Sequence, residues 1–326
     1  MSGFSKNSFS VITCTYNPEA DRLKRVLSAV ERMNKIIPFD YILVDNNSEP
    51  SVSSFINELP DNCKIIIEKN QGLAYARIKG VQETKGNWIL FVDDDNLPDE
   101  NYLIELDNII NKYPNVGIWG PGKITVEFEI QPPKWVSTYF LSAYQQKDLQ
   151  DTFSGISENW PEYFPAGSGM CIRKDLFQDY AEKVESGLYS VTGRKGKALS
   201  SGEDAQIVWN STRQYIPVGS CTSLNLIHII PFTRTNVKYL RNLYFHLALG
   251  YYSAKSEVFG IESILKEKPS FVSYIKKGLF ALQKAKFNFV TALKIYSIEK
   301  AWLDGYLKFF KMIQIGKTMV LKNNSN

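Results

Sequence analysis

The chain has 326 residues, 44% hydrophobic and 22% charged with 20 Gly and 14 Pro, a globular composition that excludes collagen-like, disordered and disulfide-scaffold classes. Its formal net charge of +4 conceals an uneven division: residues 1–229 hold 22 basic and 29 acidic side chains, whereas residues 230–326 hold 16 and 5. At about 100 to 200 residues per domain the length predicts two units, or one large α/β domain with an appendage, and the basic second segment points to an anionic partner.

The first half alternates β-rich runs with segments of helical period. In order these are FSVITCT, then Glu19 to Lys35; YILVDN, then Ser51 to Leu59; CKIIIE, then Leu73 to Thr84; WILFVD, then Asp99 to Lys112; and VGIWG. This alternation predicts a mostly parallel sheet with helices on both faces, in which ligands bind beyond the carboxyl ends of the strands. From Pro121 to about Ser200 the pattern is irregular and reads as loop-rich decoration over a site. From Thr233 onward helical spacing returns, with Lys-rich and aromatic-rich stretches at Ser270 to Lys286 and Asn288 to Lys311.

The four cysteines, Cys14, Cys63, Cys171 and Cys221, are far apart without C-x-x-C spacing and read as buried free thiols of a reducing compartment. The first residues lack the apolar core and cleavage site of a secretory signal. No run approaches about 18 consecutive apolar residues. A cytoplasmic chain that does not span a membrane by itself is expected.

Chemistry concentrates at the strand ends. Asp93, Asp94 and Asp95 follow an apolar strand, and three adjacent carboxylates call for a cation with hard oxygen ligands; Mn²⁺ or Mg²⁺ shared with substrate phosphates fits so sparse a set. A solvated acidic turn is the alternative. Asp45 ends the second strand, where an acceptor-only group suits the N3–H of uracil or thymine, or the N1–H and N2–H of guanine; an Asx-type turn explains it equally. Tyr16 offers an aromatic face to a nucleobase, or covers the core. Arg77, just over one helical turn past Gly72, points toward a diphosphate. Glu203 and Asp204 follow Gly202 and read either as first-turn acids of a helix or as a general base with its neighbour. His228, in NLIHIIP, is a third metal ligand or a core histidine, and His246 is structural.

Taken together these segments resemble family 2 glycosyltransferases of the GT-A fold. The likeness rests on SVITCTYN, ILVDNNS, NQGLAYARIKG, LFVDDDN with its D-x-D element, the loop Phe164 to Met170 and the Gly202-Glu203-Asp204 element, over about residues 8 to 230. GRKGKALSSGED and HIIPFTR add a resemblance to bacterial members that build surface polysaccharides. The resemblance implies a Rossmann-like GT-A domain over residues 1–230 and a helical, basic C-terminal region over residues 231–326. It implies inverting transfer from a nucleotide-diphosphate sugar, a UDP-sugar being favoured, to a glycan or lipid-linked acceptor. Tyr16, Asp45, Arg77, Asp93 and Asp94 would bind the donor, Asp95 and His228 the metal, and Asp204 would be the base. Glu203, Trp160 and Gly167 would lie on the acceptor side, although Trp160, like Trp135 and Tyr163, reads equally as a packing anchor. A non-catalytic nucleotide-sugar-binding or scaffold protein is the competing class, as is a soluble transferase with a protein or small-molecule acceptor. The basic tail, with lysines interleaved among Phe, Leu and Ile, suits peripheral contact with the inner face of the cytoplasmic membrane better than nucleic acid. A solvated lysine face on a packed helix is the alternative.

Overall fold

The structure, a computed structural model, describes residues 7–56, 59–191, 193, 201–265 and 267–323. The chain opens with β1 (Phe9–Thr15), α1 (Ala20–Ile36), β2 (Asp40–Asp45), β3 (Cys63–Ile67), α2 (Leu73–Gln82) and β4 (Trp88–Phe91). There follow β5 (Asn96–Pro98), α3 (Tyr102–Lys112), β6 (Ile118–Phe128), α4 (Lys134–Tyr139), β7 (Lys147–Asp148) and β8 (Phe153–Gly155). The sheet-forming part of the chain ends with β9 (Cys171–Arg173), α5 (Lys174–Glu185), α6 (Glu203–Arg213) and β10 (Val218–Ile230). Helices alone come after it: α7 (Val237–Phe259), α8 (Glu262–Leu265), α9 (Phe271–Lys284) and α10 (Phe289–Asn323).

Among the described residues ten strands make one sheet, ordered β3-β2-β1-β4-β9-β6-β10-β5, with β7 on β6 and β8 on β10. β1 pairs in parallel with both β2 and β4, β2 with β3, and β6 with β10. This is the expected α/β architecture, a mostly parallel sheet with helices on both faces and a helical C-terminal region. The period of two along each strand explains the layers. Val11, Tyr41 and Leu43 face a core built with Leu23, Val26, Val30 and Met33 of α1. Their neighbours Ile12, Ile42 and Val44 face the opposite core, with Ile78 and Val81 of α2 and Trp209 of α6. Burial on both faces is why the runs read as continuously apolar. The strand order reverses at β1, between β2 and β4, and so opens a crevice at their carboxyl ends.

Three expectations need correction. Ser51 to Leu59 is not a helix: its described residues contain a single 3₁₀ turn at Val52–Ser54, because Asp45 takes the Ser51 hydroxyl and the Val52 N–H. The stretch from Pro121 to Ser200 is more regular than its polar composition implies, holding most of the eleven-residue β6 and the twelve-residue α5. Only Cys171 and Cys221 are buried; Cys14 and Cys63 are half-buried, and all four are free thiols. Residues 194–200, most of the GRKGKALSSGED likeness, lie outside the described residues.

The C-terminal helices continue from the end of β10 at Ile230 and are packed on the sheet domain. Ala254 and Val258 of α7 join the core that contains Trp209. At Gly250 the backbone of α7 touches the entry to α6. A Cβ at Gly250 would lie 1.7 Å from the Ser201 carbonyl oxygen, and one at Gly202, whose φ is +117°, would lie 2.6 Å from the Gly250 oxygen. Gly250→Ala is therefore expected to push Ser201 and Gly202 aside, costing about 1–3 kcal/mol in thermal unfolding. Gly278→Ala on α9, where a Cβ meets nothing closer than 3.8 Å, is the control, with an expected gain of about 0.5–1 kcal/mol. Equal effects from the two substitutions would remove the close contact as the cause. Among the described residues no helix is long and apolar enough to cross a membrane.

Candidate functional site

The crevice rim is formed by the loops after β1 and β2. Tyr16 is 37% exposed there. Asn17, at φ +47°, links the loops: its N–H donates to Ser48 Oγ at 2.9 Å and its Oδ1 accepts the Glu49 N–H at 2.7 Å. Asp45 is buried beneath them. Its Oδ1 accepts the Ser48 N–H at 2.8 Å, and its Oδ2 accepts the Ser51 hydroxyl at 3.0 Å and the Val52 N–H at 2.9 Å. Burial alone would raise its pKa, but the bonds from Ser48, Val52 and Ser51 outweigh it and hold the carboxyl below its ordinary range. The turn-forming role weighed for Asp45 is thus present. Asn46, which sequence reasoning passed over, is buried and fastens β2 to the next loop, donating to Glu68 O at 3.0 Å and Asn70 O at 2.8 Å and accepting the Gly72 N–H at 2.9 Å.

Beyond β4 the three aspartates diverge. Asp93 accepts the Ser168 hydroxyl at 3.1 Å and lies 3.5 Å from Arg77. Arg77 in turn lies 3.5 Å from Glu203, and its guanidinium sits 4.9 Å from the centre of the Phe91 ring. Next to Glu203, Asp204 accepts the Ala205 N–H at 2.9 Å and the Gly167 N–H at 3.3 Å. Gly167 adjoins Ser168, so Asp93, Arg77, Glu203, Asp204, Gly167 and Ser168 close a ring that joins the end of β4 to the first turn of α6. The ring needs glycine at 167, where a Cβ would stand 2.7 Å from Arg77 Nη2.

Arg77 corrects an expectation. It is 1% exposed and does not present itself to a diphosphate. Burial opposes its charge, but Glu203 and Asp93 more than compensate and keep its pKa above the usual arginine value. It is a positioning residue for two carboxylates. Trp160 is likewise placed as a packing anchor, edge-on to Phe164 at 5.5 Å and to Trp209 at 5.6 Å.

Asp94 and Asp95 face the other side. The Thr15 hydroxyl donates to Asp94. Burial, then the charge of Asp95, pushes the Asp94 carboxyl up to about 6 against the pull of Thr15 and Arg234. Asp95 is buried, its Oδ2 2.8 Å from Arg234 and its Oδ1 3.5 Å from His228 Nε2. His228 Nδ1 lies 2.8 Å from the Tyr144 carbonyl oxygen, an acceptor that places a ring proton on Nδ1 and leaves Nε2 facing the Asp95 carboxylate. Burial works against a charged His228, yet Asp95 and the Tyr144 carbonyl together raise its pKa. Arg234 and Ser168 carry parts that the sequence reading leaves unassigned. The HIIPFTR likeness contains Arg234 but gives no hint that it would cross 139 positions to reach Asp95.

Among the described residues no three His, Cys, Asp or Glu side chains gather as a metal cage. One pair suits a hard divalent cation: Asp95 Oδ1 and a tautomer-fixed His228 Nε2, 3.5 Å apart, with Arg234 on the second carboxylate oxygen in the outer shell. A cation bound by so few protein ligands would complete its shell with water and phosphate oxygens.

Comparison with known proteins bears on this constellation. A glucosyl-dolichyl phosphate glucuronosyltransferase of Haloferax volcanii is 22% identical over 209 residues, 61% of each chain. An uncharacterized glycosyltransferase of Haemophilus influenzae is 29% identical over 118 residues, 35% of this chain and 38% of the relative. The chain therefore spans 61% or less of the length of these curated relatives. The crystal structure of S. aureus TarS 1-349 in complex with UDP-GlcNAc has a TM-score of 0.46 and 14% identity, covering 95% of this chain and 92% of that one. The model of glycosyl transferase family 2 matches residues 10–181. That match takes in more than half of the chain and includes the strand ends bearing Tyr16, Asp45 and the three aspartates, and by it the chain belongs to glycosyltransferase family 2.

Proposed function

We propose that this chain is an inverting, divalent-metal-dependent glycosyltransferase that moves a sugar from a nucleotide-diphosphate donor to a hydroxyl of a glycan or lipid-linked acceptor in bacterial polysaccharide biosynthesis. The observation that carries the reading is the closed ring that holds Asp204 at the start of α6, tied through Gly167 and Ser168 to Asp93 at the donor crevice. Asp204 takes the acceptor proton as the acceptor oxygen bonds to the anomeric carbon. The bond from that carbon to the diphosphate oxygen breaks, and its electron pair leaves with the diphosphate. A single displacement opposite the leaving group inverts the anomeric centre. Glu203, beside the base, lies on the acceptor side with Gly167.

Residues 1–230 bind donor and carry out catalysis in this reading. Tyr16 stacks on the base, Asp93 and Asp94 border the donor, and Asp45 suits the N3–H of uracil or thymine; of the corresponding donors a UDP-sugar is favoured by the family resemblance. The cation, Mn²⁺ or Mg²⁺, would be held by Asp95 and His228 and would supply charge neutralisation of the departing diphosphate. The relative named for a glucosyl-dolichyl phosphate supports a lipid-linked acceptor. The basic region 231–326 supports work at the inner face of the cytoplasmic membrane, by peripheral contact.

Thermal unfolding with UDP-, GDP- and dTDP-sugars, each with and without Mn²⁺, tests the central claim. A UDP-sugar with Mn²⁺ is expected to stabilise the fold by about 2.7 kcal/mol at a hundred times its Kd. The same sugar without metal should do markedly less. If no nucleotide sugar shifts the transition in the presence of metal, the donor assignment fails. Stabilisation without any transfer or donor hydrolysis would instead favour a binding or scaffold protein.

A further inference from the structure

The α9–α10 hairpin carries apolar surface that no core uses. Its inward side is fully engaged: Ala281, Ala285, Ala292, Ile295 and Ile298 are buried against α4 and α7. Its outward side is a stripe. Phe271, Ile275 and Leu279 recur every fourth residue along α9, on one face, and are 80%, 48% and 62% exposed. The turn adds Phe287, 81% exposed, and α10 begins with exposed Phe289 and Val290. Contiguous exposed side chains of this size mark an interaction surface rather than scattered surface apolarity.

Charge identifies the partner. Residues 268–298 contain six lysines and no aspartate or glutamate; Lys277 is paired with Glu299 just beyond the span, which leaves five. Of these, Lys284 lies 5.2 Å from the Phe280 ring centre and 5.5 Å from that of the inward Phe140, and Lys294 lies 5.4 Å from Trp135 of α4. A second copy docked on this face would set lysine against lysine with no carboxylate in the span to pair them. A nucleic acid would turn its phosphates toward exposed phenylalanine and leucine. A bilayer with anionic headgroups meets both requirements, taking the lysines at headgroup level and the phenylalanines at the acyl boundary.

We propose that the outward face of the α9–α10 hairpin docks on an anionic lipid bilayer, with Phe287 and Phe289 at its leading tip and the Phe271, Ile275, Leu279 stripe lying along the surface. The proposal rests on the membrane contact put forward above and fixes its face and its lipid chemistry. It places the contact on this hairpin and leaves the donor crevice outside the bilayer interface.

Flotation of the full chain with vesicles of phosphatidylcholine alone, and of phosphatidylcholine with phosphatidylglycerol, tests it at low and high salt. The protein is expected to float with the anionic vesicles only, and less at high salt. The triple variant Leu279→Ser, Phe287→Ser, Phe289→Ser should bind at least about tenfold more weakly, while its donor-induced thermal shift stays that of the wild type. Failure of the wild type to float, binding indifferent to lipid charge, or full binding by the triple variant would each overturn the proposal. A dimer seen by light scattering that the triple variant dissolves, without vesicle binding, would also overturn it and assign the face to a second copy. The two claims fail separately: lost flotation with the donor shift intact removes only the docking surface, and a missing donor shift with flotation intact removes only the transferase reading.

Discussion

Asp204→Asn is expected to lower kcat by about 10²- to 10⁴-fold, the range ordinarily lost with a positioned general base, and to leave donor affinity unchanged. The substitution keeps the shape of the side chain. An asparagine oxygen still accepts the Ala205 N–H that Oδ1 of Asp204 takes at 2.9 Å, whereas the amide nitrogen in place of Oδ2 gives up the 3.3 Å bond from the Gly167 N–H. The first turn of α6 keeps its place, and what is lost is that longer tie and the ability to take a proton. Transfer kinetics beside donor thermal shifts separate the two effects. A variant that binds donor and transfers sugar at near wild-type rate would take the base role from Asp204. Loss of both binding and transfer would show instead that the ring had come apart. Thermal unfolding without ligand should cost Asp204→Asn no more than about 1 kcal/mol, the usual worth of one hydrogen bond, because its carboxylate, unlike that of Glu203, makes no ion pair with Arg77.

Much of the site was legible in the sequence because strand ends are punctuated. Apolar runs buried on both faces of the sheet stop at Thr15, Asp45 and Phe91, and the polar residues that follow necessarily reach the crevice. That logic locates Tyr16 and the three aspartates. It fails where side-chain direction matters. Arg77 stands at the spacing expected of a phosphate-binding helix start, yet the α2 face on which it lies is turned inward, and two carboxylates from β4 and α6 meet it there. The partners of Asp95 were beyond reach for a related reason, since β10 delivers His228 by an antiparallel pairing with β5 that local spacing does not encode, and Arg234 follows in the 3₁₀ turn after β10. The loop at Ser51 failed differently. Its helical period is real, but Asp45 draws the Ser48, Ser51 and Val52 donors to itself and stops the helix after one turn.

Arg77→Met is expected to cost about 3–5 kcal/mol, the usual penalty for removing one member of a buried ion pair, and to abolish transfer with it. Methionine fills much of the volume and keeps the contact with the Phe91 ring, so the loss is electrostatic. Glu203, 5% exposed, loses the Arg77 guanidinium, and Asp93 loses the charge that held it in the ring. Arg77→Lys should be intermediate: it keeps the charge but cannot face Asp93 and Glu203, 3.5 Å away on each side, with one planar fork. Adding Glu203→Gln to Arg77→Met removes the buried carboxylate that faced Arg77 and should recover part of the stability, without restoring transfer. Chemical denaturation of the three variants at neutral pH reads the series. Arg77→Met within about 1 kcal/mol of wild type, the range of exposed ion pairs, would mean that the guanidinium is solvated in the working protein. Arg77 would then be free to meet a diphosphate, and the buried ring would not be what sets Asp204 in place.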